Sequence, residues 1–141
     1  MKKHHYPTRD AKRNYFPLPN EIFTLNLMPG EIAVYAYLMR CEDRETYQCH
    51  PAYATIGKAV GMSKNTVKKH VDSLIEKCLI YTEPTTVQLK TGQIRNGNLL
   101  FTIRPIQEAI DYRARKQMEA FEQDYIQELI HWEPEAAVAD V

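Results

Sequence analysis

The sequence predicts a mainly α-helical domain with a small β hairpin, extended at its C-terminal side by one long helix. Three observations predict it. Two helical stretches meet at Gly61, and Ser63 stands just beyond it. After Leu79 the residues turn β-branched and aromatic, and the pattern loses its helical period. After Pro105, Ile110, Ala114, Met118, Phe121, Tyr125 and Leu129 recur at gaps of four, four, three, four and four, which is a helical stripe.

The elements follow in order. Residues 1–14 are polar, interrupted by Pro7, and carry five basic side chains against Asp10, so a flexible basic arm is expected. In YFPLPNEIFTLNL, residues 15–27, two prolines limit regular structure, and Asn20 is expected to cap a single turn through Glu21 to Phe23. The aromatics and leucines there should pack onto the body. PGEIAVYAYLMRC, from Pro29, predicts a helix with Ile32, Tyr35, Ala36 and Met39 or Leu38 on its apolar stripe. EDRETYQCHP, residues 42–51, is a polar connection. A helix then starts near Ala52 and contains Tyr53, Ile56, Gly57 and Val60. Ser63 is placed to cap the next helix, which sets Val67, Val71, Leu74 and Ile75 on one side. Lys64, Asn65, Lys68, Lys69 and Asp72 fall largely on the other. LIYTEPTTVQLK and NLLFTIR, joined by TGQIRNG, predict a hairpin whose polar loop contains Lys90 and Arg95. Pro84 confines the first run to an edge or shortens it. The long helix spans about residues 106 to 131 with too few strict heptads for a coiled coil. Residues 133–141 are expected to form a flexible acidic tail.

At 141 residues, 44% hydrophobic and 26% charged, the chain fits one domain plus an appendage. Its formal net charge of zero conceals segregation. Residues 15–104 carry ten basic and eight acidic side chains, whereas residues 105–141 carry three basic and nine acidic ones. Nothing approaches the roughly 18 apolar residues of a membrane span. The basic N-terminal region has no apolar block behind it, so it does not read as a secretory signal. Cys41, Cys49 and Cys78 are odd in number and irregularly spaced, which points to reduced thiols in a cytoplasmic protein. A zinc site on Cys41, Cys49 and His50 would need a further ligand from His4 or His5, and no paired Cys motif supports it. Neither a metal nor another cofactor is expected. Glu42, Asp43 and Glu45 read as a solvated turn, and no nucleophile with its base can be identified, so the chain is not expected to be an enzyme.

Helix, glycine turn, helix is the unit that places a second helix in the DNA major groove. Lysine donates to guanine or phosphate, and asparagine reads adenine through two hydrogen bonds. Thr66, near the helix start, could bind a phosphate beside the free backbone N–H groups. Tyr35, Tyr37, Tyr53 and Phe16 read as core and rim aromatics, and His70 as a half-buried group against the preceding helix.

GKAVGMSKNTVKKHVDSLIEKCLI resembles the core of bacterial winged helix-turn-helix proteins, through Ser63, Thr66, Val67, Leu74, Leu79 and Ile80. Cys78 stands where those families usually have glycine. LPNEIFTLNLMPGEIAVYAYLMRCEDRETYQC is further similar to helix-turn-helix proteins of plasmids, phages and integrative elements, which include replication initiators, primosome-type loaders and regulators. Over residues 15–104 the resemblance implies a winged helix-turn-helix DNA-binding domain, with a C-terminal helical extension at 105–132. It implies base contacts from the helix beginning at Ser63 and backbone contacts from the hairpin. The expected DNA-binding residues are Ser63, Lys64, Asn65, Thr66, Lys68, Lys69, Lys90 and Arg95. The expected function is sequence-specific binding of double-stranded DNA, in transcriptional regulation or in replication initiation of a mobile element. A replication or transcription protein is a possible partner. The competing reading is a protein-interaction module that keeps the winged shape without binding DNA. The apolar stripe after Pro105 predicts a homodimer through that helix, the alternative being a helix folded back on Ile32 and Tyr35.

Overall fold

Three helices close around one apolar core because each offers an apolar face to the other two. In the computed structural model, residues 5–10 and 13–132 are described. The expected tail over 133–141, and residues 1–4, 11 and 12 of the expected arm, lie outside them. The described residues form α1 (Pro29–Cys41), β1 (Gln48–Cys49), α2 (Tyr53–Val60), α3 (Lys64–Glu76), β2 (Ile80–Glu83), β3 (Thr86–Gln88), β4 (Ile94–Asn96), β5 (Leu100–Ile103) and α4 (Ile106–Ile130). A 3-10 turn, Asn20–Thr24, precedes α1. Val34, Tyr35 and Leu38 of α1, Ile56 of α2, and Val67, Val71 and Leu74 of α3 are fully buried, with Ile22, Ile80 and Phe101 closing the core. This is a winged helix-turn-helix architecture, mainly α with a small antiparallel hairpin and a long C-terminal helix.

Several local expectations change. Asn20 begins the 3-10 turn instead of capping it, and no side chain caps that turn, because Pro19 holds the N-cap position. The polar connection contains β1, which pairs with β5 so that the sheet has three strands in the order β1-β5-β2. Two residues are too few for a periodic signal. The hairpin is longer than expected and broken in the middle. Its base pairs Ile80 with Ile103 and Glu83 with Leu100, and its tip pairs Thr86 with Asn96 and Gln88 with Ile94. Between the two blocks the outgoing arm passes through Pro84 and Thr85, the returning arm through Gly97, Asn98 and Leu99. The extra residue is a bulge. Pro84 lacks the N–H a ladder requires, which is why the break falls there. The turn itself is Leu89–Gly92, with Gly92 at φ 83 and its N–H donating to the Leu89 carbonyl at 2.9 Å.

A single buried carboxylate joins α1 to α3. Glu31 is 2% exposed. Lys77 Nζ donates to its two oxygens at 2.8 and 3.1 Å, and Ser73 Oγ donates at 3.1 Å. The apolar stripe of α1 therefore includes Val34 and is interrupted at its N-terminal end by an acid.

Behind α1, the Tyr35 hydroxyl and Glu42 Oε2 are buried without a hydrogen-bond partner among the described residues. Burial, helped by the Glu42 charge, pushes the Tyr35 phenol up from 10 to about 12. Burial, then the Cys41 and Glu42 charges, pushes the Cys49 thiol up to about 12. Burial likewise raises the Glu42 carboxyl, against the opposing effect of Arg44.

Removing Lys77 strands a buried charge, whereas removing Glu31 frees an ammonium that is one-third exposed and can be rehydrated. Lys77→Met is therefore expected to destabilise by about 3–5 kcal/mol and Glu31→Gln by less, as measured by urea unfolding. Equal losses would contradict the asymmetry. The Tyr35 phenol and the Cys49 thiol ionise first in the unfolded chain. Their stabilising effect is complete below pH 9 to 10 and is lost as pH rises through about 12. Tyr35→Phe should flatten that alkaline decline in a melting series from pH 8 to pH 12.

Candidate nucleic-acid interface

The turn between α2 and α3 is shaped by two backbone requirements. Gly61 ends α2 at φ 74, ψ 37, the left-handed conformation that a Cβ penalises. The Met62 N–H returns to the Gly57 carbonyl at 2.9 Å. A Cβ on Gly57 would come within 2.3 Å of the Met62 carbonyl oxygen, so only glycine permits this closeness. α3 then starts at once. Ser63 Oγ accepts from the Thr66 N–H at 3.2 Å and lies 2.9 Å from Thr66 Oγ1. Ser63 thus caps the helix, with the Thr66 hydroxyl bonded to its own, and Thr66 is half-buried.

Lys64, Asn65, Lys68 and Lys69 are all exposed; Asn65 and Lys69 lie opposite Val67, Val71 and Leu74, Lys68 stands at the flank, and Lys64 lies in the first turn in line with Val71. Lys90 is exposed in the wing turn. Arg95 belongs to β4 and stands opposite Val87, not in the loop. Among the described residues none of these five cations forms an ion pair. The tip strands β3 and β4 are exposed throughout.

What fixes this face was not visible in the sequence. His70 is half-buried, as expected, but against α1 instead of the preceding helix. Its ring lies where a Cβ on Gly30 would be, 2.3 Å from Nε2. The far end of α3 closes with the Cys78 N–H on the Ile75 carbonyl at 3.1 Å and the Leu79 N–H on the Leu74 carbonyl at 3.0 Å. That is a Schellman stop, with buried Leu74 and Leu79 supplying its apolar contact. Cys78 occupies the left-handed position at φ 63, and this accounts for the glycine usual there.

A family model described as a helix-turn-helix domain matches residues 25–80. Over those residues the chain is similar to helix-turn-helix domains. The matched span runs from the turn before α1 to the first residue of β2, so the wing and α4 lie outside it. No curated protein sequence matches the chain. Among solved structures, a possible transcriptional regulator from Methanosarcina mazei Go1 is similar at 20% identity and a TM-score of 0.48, over 79% of this chain and 83% of that one. A multiple antibiotic-resistance repressor (MarR) from Listeria monocytogenes 4b F2365 is similar at 18% identity and 0.40, over 77% and 70%.

Among the described residues no group of three or more His, Cys, Asp or Glu side chains could hold a metal ion. Cys41, Cys49 and Cys78 are free. No helix among them is long and apolar enough to cross a membrane.

A left-handed non-glycine residue costs about 1–2 kcal/mol, partly offset by the greater freedom glycine loses on folding. Cys78→Gly should therefore raise stability by about 0.5–1 kcal/mol, seen as a higher urea midpoint at unchanged slope. A lower midpoint would contradict the strained cap.

Proposed function

We propose that the protein binds double-stranded DNA sequence-specifically through α3 and the wing, as a transcriptional regulator or in replication initiation of a mobile element. The observation that carries this is the exposed face of α3. Three lysines and an asparagine, free of ion pairs, follow directly on the helix-turn-helix corner. A helix in the major groove meets base edges with such a face, and its lysines also reach phosphates. Lys90 and Arg95 extend the cationic surface along the wing, toward the sugar-phosphate backbone. Ser63 and Thr66 serve first as the cap. Their hydroxyls set the helix N-terminus, whose remaining N–H groups favour a phosphate.

The mobile-element reading rests on the resemblance of residues 18–49. On either role we assign residues 15–104 to DNA binding and α4 to pairing of two copies. A homodimer would present two copies of α3 to half-sites one turn, about 34–36 Å, or multiples apart.

Replacing Lys64, Asn65, Lys68 and Lys69 together by Ala should abolish sequence preference while leaving the circular dichroism unchanged. Each lost bidentate base contact should cost about 1–3 kcal/mol, and each lost phosphate contact should reduce the salt slope by about one unit. Fluorescence anisotropy with random and genomic duplexes at two salt concentrations measures both terms. Unchanged binding by the quadruple variant would end the assignment and favour a protein-interaction module.

A further inference from the structure

The stripe of α3 that faces away from the core does not carry cations alone. Each helical residue turns by about 100°, so the line opposite Val67, Val71 and Leu74 is formed by Asn65, Lys69, Asp72 and Glu76. All four are exposed. Two of them are carboxylates, on the surface proposed to meet a polyanion. Lys68 and Lys69 lie one turn before Asp72, yet among the described residues no ion pair joins either of them to it.

Local helix chemistry does not reward an acid at this position. Aspartate is a weak helix former, and the ninth of 13 helical residues lies toward the C-terminal, negative end of the helix dipole. A lysine followed four positions later by an acid is also the weaker order for a helical pair. The surroundings give the carboxylate another use. A carboxylate only accepts hydrogen bonds. In the major groove guanine offers two acceptors, thymine one beside a methyl group, and adenine one beside its amino group. Cytosine offers an amino donor alone.

We propose that Asp72 is a specificity residue whose carboxylate accepts from a cytosine amino group at one position of the DNA site and disfavours the other bases there. The inference rests on the DNA-binding reading and adds a base and its place. The charges of Lys64, Lys68 and Lys69 attract any duplex, since its phosphates do not depend on sequence. An acid among them lowers that attraction for every sequence except one that supplies a donor, and specificity is this difference. Asn65 and Asp72 are seven residues apart, about 10.5 Å along the helix. Bases follow one another at about 3.4 Å, so the cytosine lies about three base pairs from the adenine that faces Asn65. Aspartate is short, so it reads the base in front of it. Glu76 lies one turn further on, where a helix that enters by its N-terminal residues has left the bases.

Selection of duplexes from a randomised library by the full chain, followed by anisotropy titrations on a selected and a random duplex, tests it. Asp72→Ala should bind the random duplex about fivefold more tightly, because one like charge is gone. It should also lose a preference of about tenfold for cytosine at one position. Asn65→Ala should lose a different position, about three base pairs away. Asp72→Asn, of the same shape, should move the Asp72 position from cytosine toward adenine. Glu76→Gln removes an equal charge from the last turn and should keep every base preference. Circular dichroism checks that each variant is folded. Tighter binding by Asp72→Ala with all preferences kept would overturn the base contact and leave only a repelling charge. A lost preference for a base other than cytosine would overturn the assignment. A wild-type chain with no sequence preference would overturn the DNA-binding reading itself, and Asn65→Ala would then be silent as well.

Discussion

The buried carboxylate of Glu31 is the constraint on which the exposed face of α3 depends. Apolar packing holds α1, α2 and α3 together, but it is weakly directional, and a helix of alternating valines and leucines can rotate at small cost. Desolvating a carboxylate costs several kcal/mol unless its partners are correctly placed. Here they are Ser73 of α3 at 3.1 Å and Lys77, the residue that caps its C-terminus, at 2.8 Å. Rotating α3 would break both bonds and strand the charge. The clamp thus adds little net stability and strongly prefers one rotation, the one that turns Lys64, Asn65, Lys68 and Lys69 outward. His70 over Gly30 enforces the same rotation sterically from the middle of the helix.

The length of α3 is fixed as firmly as its rotation. Left-handed residues lie on either side of it, Gly61 before the Ser63 cap and Cys78 after Glu76. Each stop reverses the chain within two residues, so α2 is brought to one end of α3 and β2 leaves from the other. The first stop uses glycine and is nearly free of strain. The second uses cysteine and stores some. The wing continues from that strained stop, and the Arg104 N–H donates back to the Leu79 carbonyl at 3.0 Å. The base of the wing is thereby fastened next to the end of α3.

Much of this was legible in the sequence because it rests on local rules. The Val67, Val71 and Leu74 spacing, the Ser63 cap, the punctuation at Gly61 and the interruption at Pro84 each act within a few residues. What was not legible depends on partners far along the chain. Glu31 in the first turn of a helix looks like an ordinary dipole-favoured acid. Its burial comes from Ser73 and Lys77, more than forty positions away. β1 exists only because β5 lies beside it. The bulge that moved Arg95 from loop to strand follows from a pairing register, which no single arm contains. The candidate interface was read at the level of residue types, and the structure adds the clamp that orients it.

The zero net charge then poses no obstacle to a polyanionic partner. From Lys116 to Glu128 is twelve residues, about 18 Å of helix. At physiological salt the screening length is about 8 Å, so the acids at the end of α4 are more than two screening lengths from the part of α4 that touches the body. A phosphate approaching α3 and the wing responds mainly to Lys64, Lys68, Lys69, Lys90 and Arg95, with Asp72 and Glu76 the exposed acids of α3. Separating the charges along the chain lets one end attract nucleic acid while the other repels it. On the proposed DNA-binding role, that separation would restrict the ways the body meets a duplex and favour the one that brings the α3 face and the wing to it.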